Sequence, residues 1–223
     1  MMKLHHLALS PFCRKVRLVL AEKRLEVELI EEPVWEKRLD FLRLSPSGKV
    51  PLLKVGKEVF SESTAISEFL DETHPVQKLL PLDKKFRFET RRLNNWFDDK
   101  FHNEVTKNLL YERIYKKIFN LGHPDSNLIK EGLKKIRFHL EYMEWLLERR
   151  NWLAGEKMSL ADFTAAAQLS SLDYIGDINW ERIGIIKDWY AKIKSRPAFR
   201  HSGILSDLVP GFTPPKHYSD LDF

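Results

Sequence analysis

Three short segments near the N-terminus hold the residues that could do chemistry: Ser10-Pro11-Phe12-Cys13-Arg14-Lys15-Val16-Arg17, Gly48-Lys49-Val50-Pro51-Leu52-Leu53 and Ser61-Glu62-Ser63. In this order and spacing they suggest one cradle for a small thiol peptide. Ser10 falls at a predicted strand-to-helix turn, where exposed N–H groups and the helix dipole stabilise an anion. A thiolate beside Ser10 or Cys13 would have a depressed pKa, the usual route to a reactive thiol. Pro51 follows Val50, and a cis proline at that turn would present the Val50 backbone to a peptide-like ligand. Glu62 and Ser63, at a helix start, offer a carboxylate for an ammonium and a hydroxyl plus N–H for a carboxylate. That pair suits the γ-glutamyl end of glutathione.

Each of these residues also has a plain structural reading. Ser10 and Ser63 are common residue types at helix N-caps. Cys13, the one cysteine of the chain, lies just inside a helix, where a buried thiol is usually inert. Pro51 can serve simply as a turn. Glu62 has fewer structural duties available to it. The eight histidines show no metal-ligand spacing, and no His-Glu-x-x-His occurs, so no metal site is expected.

The elements that must position the cradle are legible around it. Leu4 to Leu9 reads as a buried strand, and Pro11 suits the first turn of the helix that follows. Val27 to Glu31 alternates as a second strand, and Trp35 to Leu44 is a short, charged, partly helical segment. Gly56-Lys57 is a hairpin turn between two further strands. Ser63 to Glu72 is a helix with Ala65, Ile66, Phe69 and Leu70 inward. Residues 77–85, with Pro81, read as a linker between a domain at 1–76 and a second at 86–205. The second has little strand signal. Leu133, Ile136, Leu140, Met143 and Leu147 predict an amphipathic helix with one buried stripe, and Trp96, Phe97 and Phe101 fit the same period earlier. Asp125 or Ser126 can cap the helix after Gly122-His123-Pro124. Ser159 and Asp162 have capping-box spacing, with Met158 and Phe163 as a hydrophobic staple. Ile186, Trp189, Tyr190 and Ile193 form a last helix before Arg196-Pro197. Pro210, Gly211, Pro214 and Pro215 make 206–223 an irregular tail.

Bulk composition narrows the function classes. The chain has 223 residues, 43% hydrophobic and 31% charged, as expected of a folded soluble protein rather than a disordered one. A lone cysteine forms no internal disulfide and fits a reducing compartment. No stretch approaches the ~20 apolar residues of a membrane span, and the N-terminus lacks the apolar run of a signal peptide, so the expected location is cytoplasmic, without membrane insertion. The net charge of +5 is spread along the chain and mixed with acid, with no arginine-rich arm, which argues against nucleic acid as a partner.

With these residues in place, the chain resembles the cytosolic glutathione S-transferase superfamily from about Lys3 to Phe199. The resemblance implies a GST fold: an α/β thioredoxin-like N-terminal domain, an all-α C-terminal domain, and a homodimer. Ser10 falls where serine-type members keep their catalytic serine, and Cys13 at the second position of the thioredoxin-type cysteine pair. Val50, Pro51, Glu62 and Ser63, with Lys49 nearby, fall on the glutathione-binding positions. Trp152-Leu153-Ala154-Gly155 and Arg196-Pro197-Ala198-Phe199 are also family-like. A narrower likeness lies in Trp96-Phe97-Asp98-Asp99-Lys100-Phe101, in Arg149-Arg150-Asn151-Trp152, and in the ending Tyr218-Ser219-Asp220-Leu221-Asp222-Phe223. These look like the transferase-like cell-division proteins of alphaproteobacteria, a group known for binding FtsZ filaments rather than for conjugation. That likeness implies a filament partner met by Trp35, Tyr218, Asp220, Asp222 and Phe223. The alternative it leaves is an enzyme joining glutathione to electrophiles with Ser10 activating the thiol.

Overall fold

The computed structural model describes residues 1–220. Four strands, β1 (Met2–His6), β2 (Val27–Glu31), β3 (Leu52–Val55) and β4 (Glu58–Ser61), form one sheet in the order β2-β1-β3-β4. β1 pairs parallel with β2, Leu4 opposite Leu29, and antiparallel with β3, Leu4 opposite Leu53. The parallel pair needs a crossover, and α1 (Pro11–Glu22) supplies it. A short α2 (Leu39–Leu44) leads to the β3–β4 hairpin, and α3 (Ser63–Thr73) closes the unit. Strand one ends at His6 rather than Leu9. Leu7 to Ser10 instead makes the turn, with the Ser10 N–H donating to the Leu7 carbonyl at 3.2 Å.

The segment expected as a linker is pinned down. Asp71, 1% exposed, accepts the Leu79 N–H at 2.8 Å, the Leu80 N–H at 3.0 Å and the Lys23 ammonium at 2.5 Å. Leu79 and Leu80 are thereby buried, and the Leu79 carbonyl accepts from Leu160 N–H of the helical part at 2.9 Å.

The remainder is helical. α4 (Lys84–Asn95) runs directly into a π-helical stretch, Trp96–Tyr115, and a last α turn, α5 (Lys116–Ile118). Phe97, Phe101, Val105 and Leu109 are all fully buried there. That repeat of four is longer than the α period of 3.6, and it suits the wider i→i+5 turn. α6 (Ser126–Leu147) is capped by Asp125, whose carboxylate accepts from Asn127 and Leu128 N–H. Its inward stripe holds Ile136, Leu140, Met143 and Leu147, but Leu133 faces outward at 37% exposure. α7 (Leu160–Tyr174) is buried on every side. Its Ser159–Asp162 capping box is present, and the fully buried Asp162 also accepts from Leu153 N–H and Trp189 Nε1–H, both at 3.0 Å. Ala161, Ala165 and Ala166 let neighbours approach its backbone. α8 (Gly184–Lys194) and α9 (Pro197–His201) complete the bundle. α7 also carries the interface with the sheet unit: Ser171 Oγ donates to the Leu9 carbonyl at 2.9 Å, and Arg14 Nη1 donates to Ser170 Oγ at 3.0 Å.

Candidate functional site

Ser10 is the N-cap of α1. Its Oγ accepts the Cys13 N–H at 3.4 Å, and Pro11 occupies the first helical position. The hydroxyl proton remains available to donate. Ser10 lines a cleft of about 580 Å³ between the two parts of the chain, walled by Phe12, Lys49 and Val50 on one side and by His102, Thr106 and Tyr115 on the other. Two buried polar atoms here, His102 Nδ1 and the Tyr115 hydroxyl, have no hydrogen-bond partner among the described residues. Burial lowers the His102 pKa and raises that of Tyr115.

A smaller hollow of about 130 Å³ adjoins the cleft, lined by Lys49, Val50, Pro51, Glu62 and Ser63, with Phe12, Lys49 and Val50 common to both. The Val50–Pro51 peptide is cis. Glu62 precedes α3 at φ 69° with its side chain making no cap bond, and Ser63 is the first helical residue. The five residues expected to hold glutathione therefore line one hollow, with a carboxylate, a hydroxyl and a helix N-terminus side by side. They fit the amino-acid end of such a peptide in donor type and charge.

Cys13 does not join them. It is fully buried, lines neither cavity, and burial pushes its thiol up to about 11. A thiol in that state carries almost no thiolate at neutral pH, so its expected chemical role gives way to packing.

The partner residues expected from the sequence separate into three groups. Trp35 is 37% exposed and its ring packs on Phe119, centroids 4.7 Å apart. Asp220 is exposed. Tyr218 corrects the expectation: it is 1% exposed, its hydroxyl donates to the Ile204 carbonyl at 2.9 Å, and its ring meets Tyr174 edge-on at 5.2 Å. It anchors the tail instead of presenting it. Asp222 and Phe223 lie outside the described residues.

Sequence reasoning missed the network that holds the tail. Asp207 accepts from Arg17 Nη1 at 3.0 Å and Nη2 at 2.9 Å, and from Arg14 Nη2 at 3.1 Å. Arg14 is fully buried and Arg17 nearly so. It also missed Lys15, fully buried, whose ammonium pairs with Asp98 and donates to Thr64 Oγ1 at 2.9 Å. The signal was present: Arg14, Lys15 and Arg17 interrupt an otherwise apolar short helix, and buried cations demand partners.

Residues 4–78 match the family described as glutathione S-transferase, N-terminal domain, and residues 107–197 match glutathione S-transferase, C-terminal domain. The chain belongs to the glutathione S-transferase family. FtsZ-localized protein A of Caulobacter vibrioides is 47% identical over 224 residues, covering 99% of this chain and 97% of that relative. The solved structure of FzlA from C. crescentus superposes with a TM-score of 0.95 at 46% identity, covering 100% of this chain and 99% of the other. A glutathione S-transferase from Rhodospirillum rubrum superposes equally well, TM-score 0.95 at 44% identity and full coverage of both chains. Glutathione S-transferase 3 of Zea mays is more distant, 28% identical over 94% of this chain and 96% of its own length. No described helix is long and apolar enough to cross a membrane, and no group of three His, Cys, Asp or Glu is placed to hold a metal ion among the described residues.

Proposed function

We propose that this protein is a cytoplasmic binding protein of FtsZ filaments, built on a transferase fold. The full-length likeness to a protein that is FtsZ-localized supports the reading, and one observation in this chain carries it. Trp35 rests on Phe119, the residue that follows α5, and two positions earlier Lys117 lies 4.7 Å from the Phe212 ring of the tail. Trp35 and the Phe212 part of the tail thus flank one short stretch, residues 117–119, so one partner can touch both. Aromatic side chains with partial exposure are frequent interface anchors. The test is co-sedimentation with purified FtsZ filaments. Trp35→Ala and Asp220→Ala should each weaken pelleting about tenfold while leaving the melting temperature in place; pelleting unchanged by both removes this end of the molecule from the interaction.

A second reading rests on the cradle. Val50, Glu62 and Ser63 line one hollow beside Ser10, which favours glutathione as a ligand. Val50 would offer its backbone, Glu62 the carboxylate for the ammonium, Ser63 its hydroxyl and N–H, and Ser10 a hydrogen bond to the thiolate. Calorimetric titration with glutathione tests it: micromolar to low-millimolar affinity supports a working cradle, and heat indistinguishable from dilution reduces it to scaffold.

The protein is further read as a homodimer. Phe138 and Trp145, each about half exposed, continue through the half-buried Trp96 and Tyr142 into one aromatic face of the long helix and α6. The exposed side of α6 carries Lys134 and Arg137 toward one end and Glu141 and Glu148 toward the other. Two copies packed antiparallel would set each basic end against an acidic one, as a two-fold interface requires.

A further inference from the structure

The sheet has two edges, and β2 forms one of them. β2 pairs with β1 alone, in unbroken register from Met2 opposite Val27 to His6 opposite Glu31. No other segment hydrogen-bonds the backbone of residues 27–31 among the described residues. Edge strands are commonly blunted by proline, lysine or a bulge, and β2 has none of the three. It carries glutamates instead. Residues 26–36 hold five of them and no lysine or arginine, in a chain of net charge +5. Glu28 pairs with Lys3 at 3.0 Å and Glu32 with Arg38 at 2.6 Å. Glu26 and Glu31 are exposed and stand in no ion pair among the described residues.

Beside this edge lies a groove of about 740 Å³, bounded by β2, the end of α1 and α9. Leu20, Leu25, Val27, Leu29, Pro197 and Ala198 give it apolar walls, and Leu29 is 40% exposed. α1 ends in a turn in which Leu25 N–H donates to the Leu20 carbonyl at 2.9 Å, and this keeps both leucines on one wall. Arg17 and Arg196 also line the groove, but Asp207 and Glu22 already neutralise them. The cations without an ion pair among the described residues, Arg24 and His201, belong to the turn and to α9, whereas Glu26 leads directly into the strand. A chain laid along β2 therefore meets carboxylates and apolar side chains. No lining residue belongs to α4, the π-helical stretch or α6, so the groove stands apart from the aromatic face of α6.

We infer that the outer edge of β2 takes up an extended basic segment of a partner protein as a fifth strand. Its lysine or arginine side chains lie across from Glu26, Glu28 and Glu31, and its apolar side chains lie across from Val27 and Leu29, over the groove. Main-chain hydrogen bonds supply affinity in such a strand addition, and alternate side chains supply selectivity. Opposite charges directly across a strand pair attract, and like charges repel. A second copy of β2 would set glutamates against glutamates, and an acidic segment would meet the same repulsion, so a basic strand is the occupant that fits. The inference goes beyond the filament reading, which rests on Trp35 and the tail, and its test contains no FtsZ.

The test is fluorescence anisotropy of the full chain with a fluorescein-labelled peptide, Ser-Lys-Val-Arg-Leu-Val-Lys-Ser. Binding should fall at about 10–100 µM. A peptide of the same composition with its basic residues in one block should bind at least about tenfold more weakly, and so should one with glutamate at every basic position. Peptide at about ten times its Kd should slow hydrogen exchange in residues 27–31 by about tenfold and leave β4 unchanged. Glu26→Lys/Glu31→Lys should lower affinity about tenfold or more at unchanged melting temperature. Leu29→Ser, a separate variant that keeps every charge, should lower it about fivefold. No binding up to ~1 mM, equal binding of the block-ordered peptide, protection elsewhere than β2, or affinity indifferent to both variants overturns the proposal. It is also overturned if protection of residues 27–31 rises with protein concentration in the absence of peptide, because the edge is then a contact between copies of this chain.

Discussion

At the scale of single residues, burial decides what the titratable groups can do. Cys13 shares the first turn of α1 with Ser10, a position that would activate an exposed thiol, yet its full burial raises the thiol to about 11. Near pH 8 its thiolate fraction falls short of that of a free cysteine by about two orders of magnitude. Native-state labelling with a thiol-disulfide reagent should be slower than labelling of the unfolded chain by at least that factor; comparable rates would return Cys13 to the reactive class. His6 carries a second consequence. It is 8% exposed, its Nδ1 has no hydrogen-bond partner among the described residues, and desolvation followed by the nearby Arg17 lowers its pKa to about 4. The folded protein therefore holds His6 neutral, while the unfolded chain takes up a proton below about 6.5. Stability from this residue is complete above pH ~6.5 and is lost as pH falls from there through ~4. Urea unfolding should show a loss of roughly 2 kcal/mol between pH ~7 and ~5, and His6→Gln should flatten that slope. An unaltered slope in the variant would assign it to other groups.

At the scale of elements, the tail behaves as a strap across the molecule rather than a loose extension. Asp207 is the joint: one carboxylate satisfies two buried guanidiniums of α1. Arg14 also donates Nε to the Ala8 carbonyl at 2.8 Å, at the turn that leads into Ser10. The same side chain thus ties the tail to the mouth of the cleft. Removing one partner of a buried pair leaves the other charge uncompensated, which costs roughly 3 kcal/mol or more. Asp207→Ala should lower the melting temperature by about 6–12 °C. A shift inside about 2 °C would show that the arginines reach water without the tail. Truncation before Tyr218 should be destabilising too, because it removes a fully packed aromatic, commonly ~3 kcal/mol; loss of filament binding in such a truncation would not by itself locate the contact, and Asp220→Ala is the cleaner probe.

At the scale of the whole molecule, the surfaces divide the work. The cleft lies between the sheet unit and the helices, the hollow opens beside it within the sheet unit, Phe119 carries the Trp35 contact at the edge of that cleft, and the aromatic face of α6 stands exposed. Beneath that face His139, fully buried, accepts from Trp96 Nε1–H at 3.2 Å and stands 3.0 Å from Glu104. Since Nδ1 accepts, Nε2 carries the proton and donates to the carboxylate, so the aromatic face rests on an ordered base. Phe138→Glu/Trp145→Glu should convert a dimer to monomer in sedimentation analysis at micromolar concentration without unfolding the chain. A variant that sediments like the parent removes this face from self-association.

What the sequence determined by itself is what neighbours within a few positions can settle. The Ser159–Asp162 box, the Asp125 cap, the Gly56-Lys57 hairpin and the Ser10 cap are hydrogen bonds closed inside one turn, so residue type and spacing are sufficient. The two-part fold and the residues of the cradle were legible for the same reason, since each lies on a short motif. The tertiary structure decided the rest. Arg17 and Asp207 are 190 positions apart, and only the docking of the tail on α1 makes them a pair. Tyr218 reads as an exposed tail aromatic until Tyr174 and Ile204 enclose it. Leu133 fits an apolar stripe by period, yet it is the buried Gly132 beside it that lies against Leu109 of the π-helical stretch, and Leu133 faces outward. Cys13 has the position of a reactive thiol and the environment of a core residue. Periodicity and caps specify how a segment folds; which surfaces meet, and so which charges are paired and which thiols are silent, depends on contacts between parts of the chain that no local pattern describes.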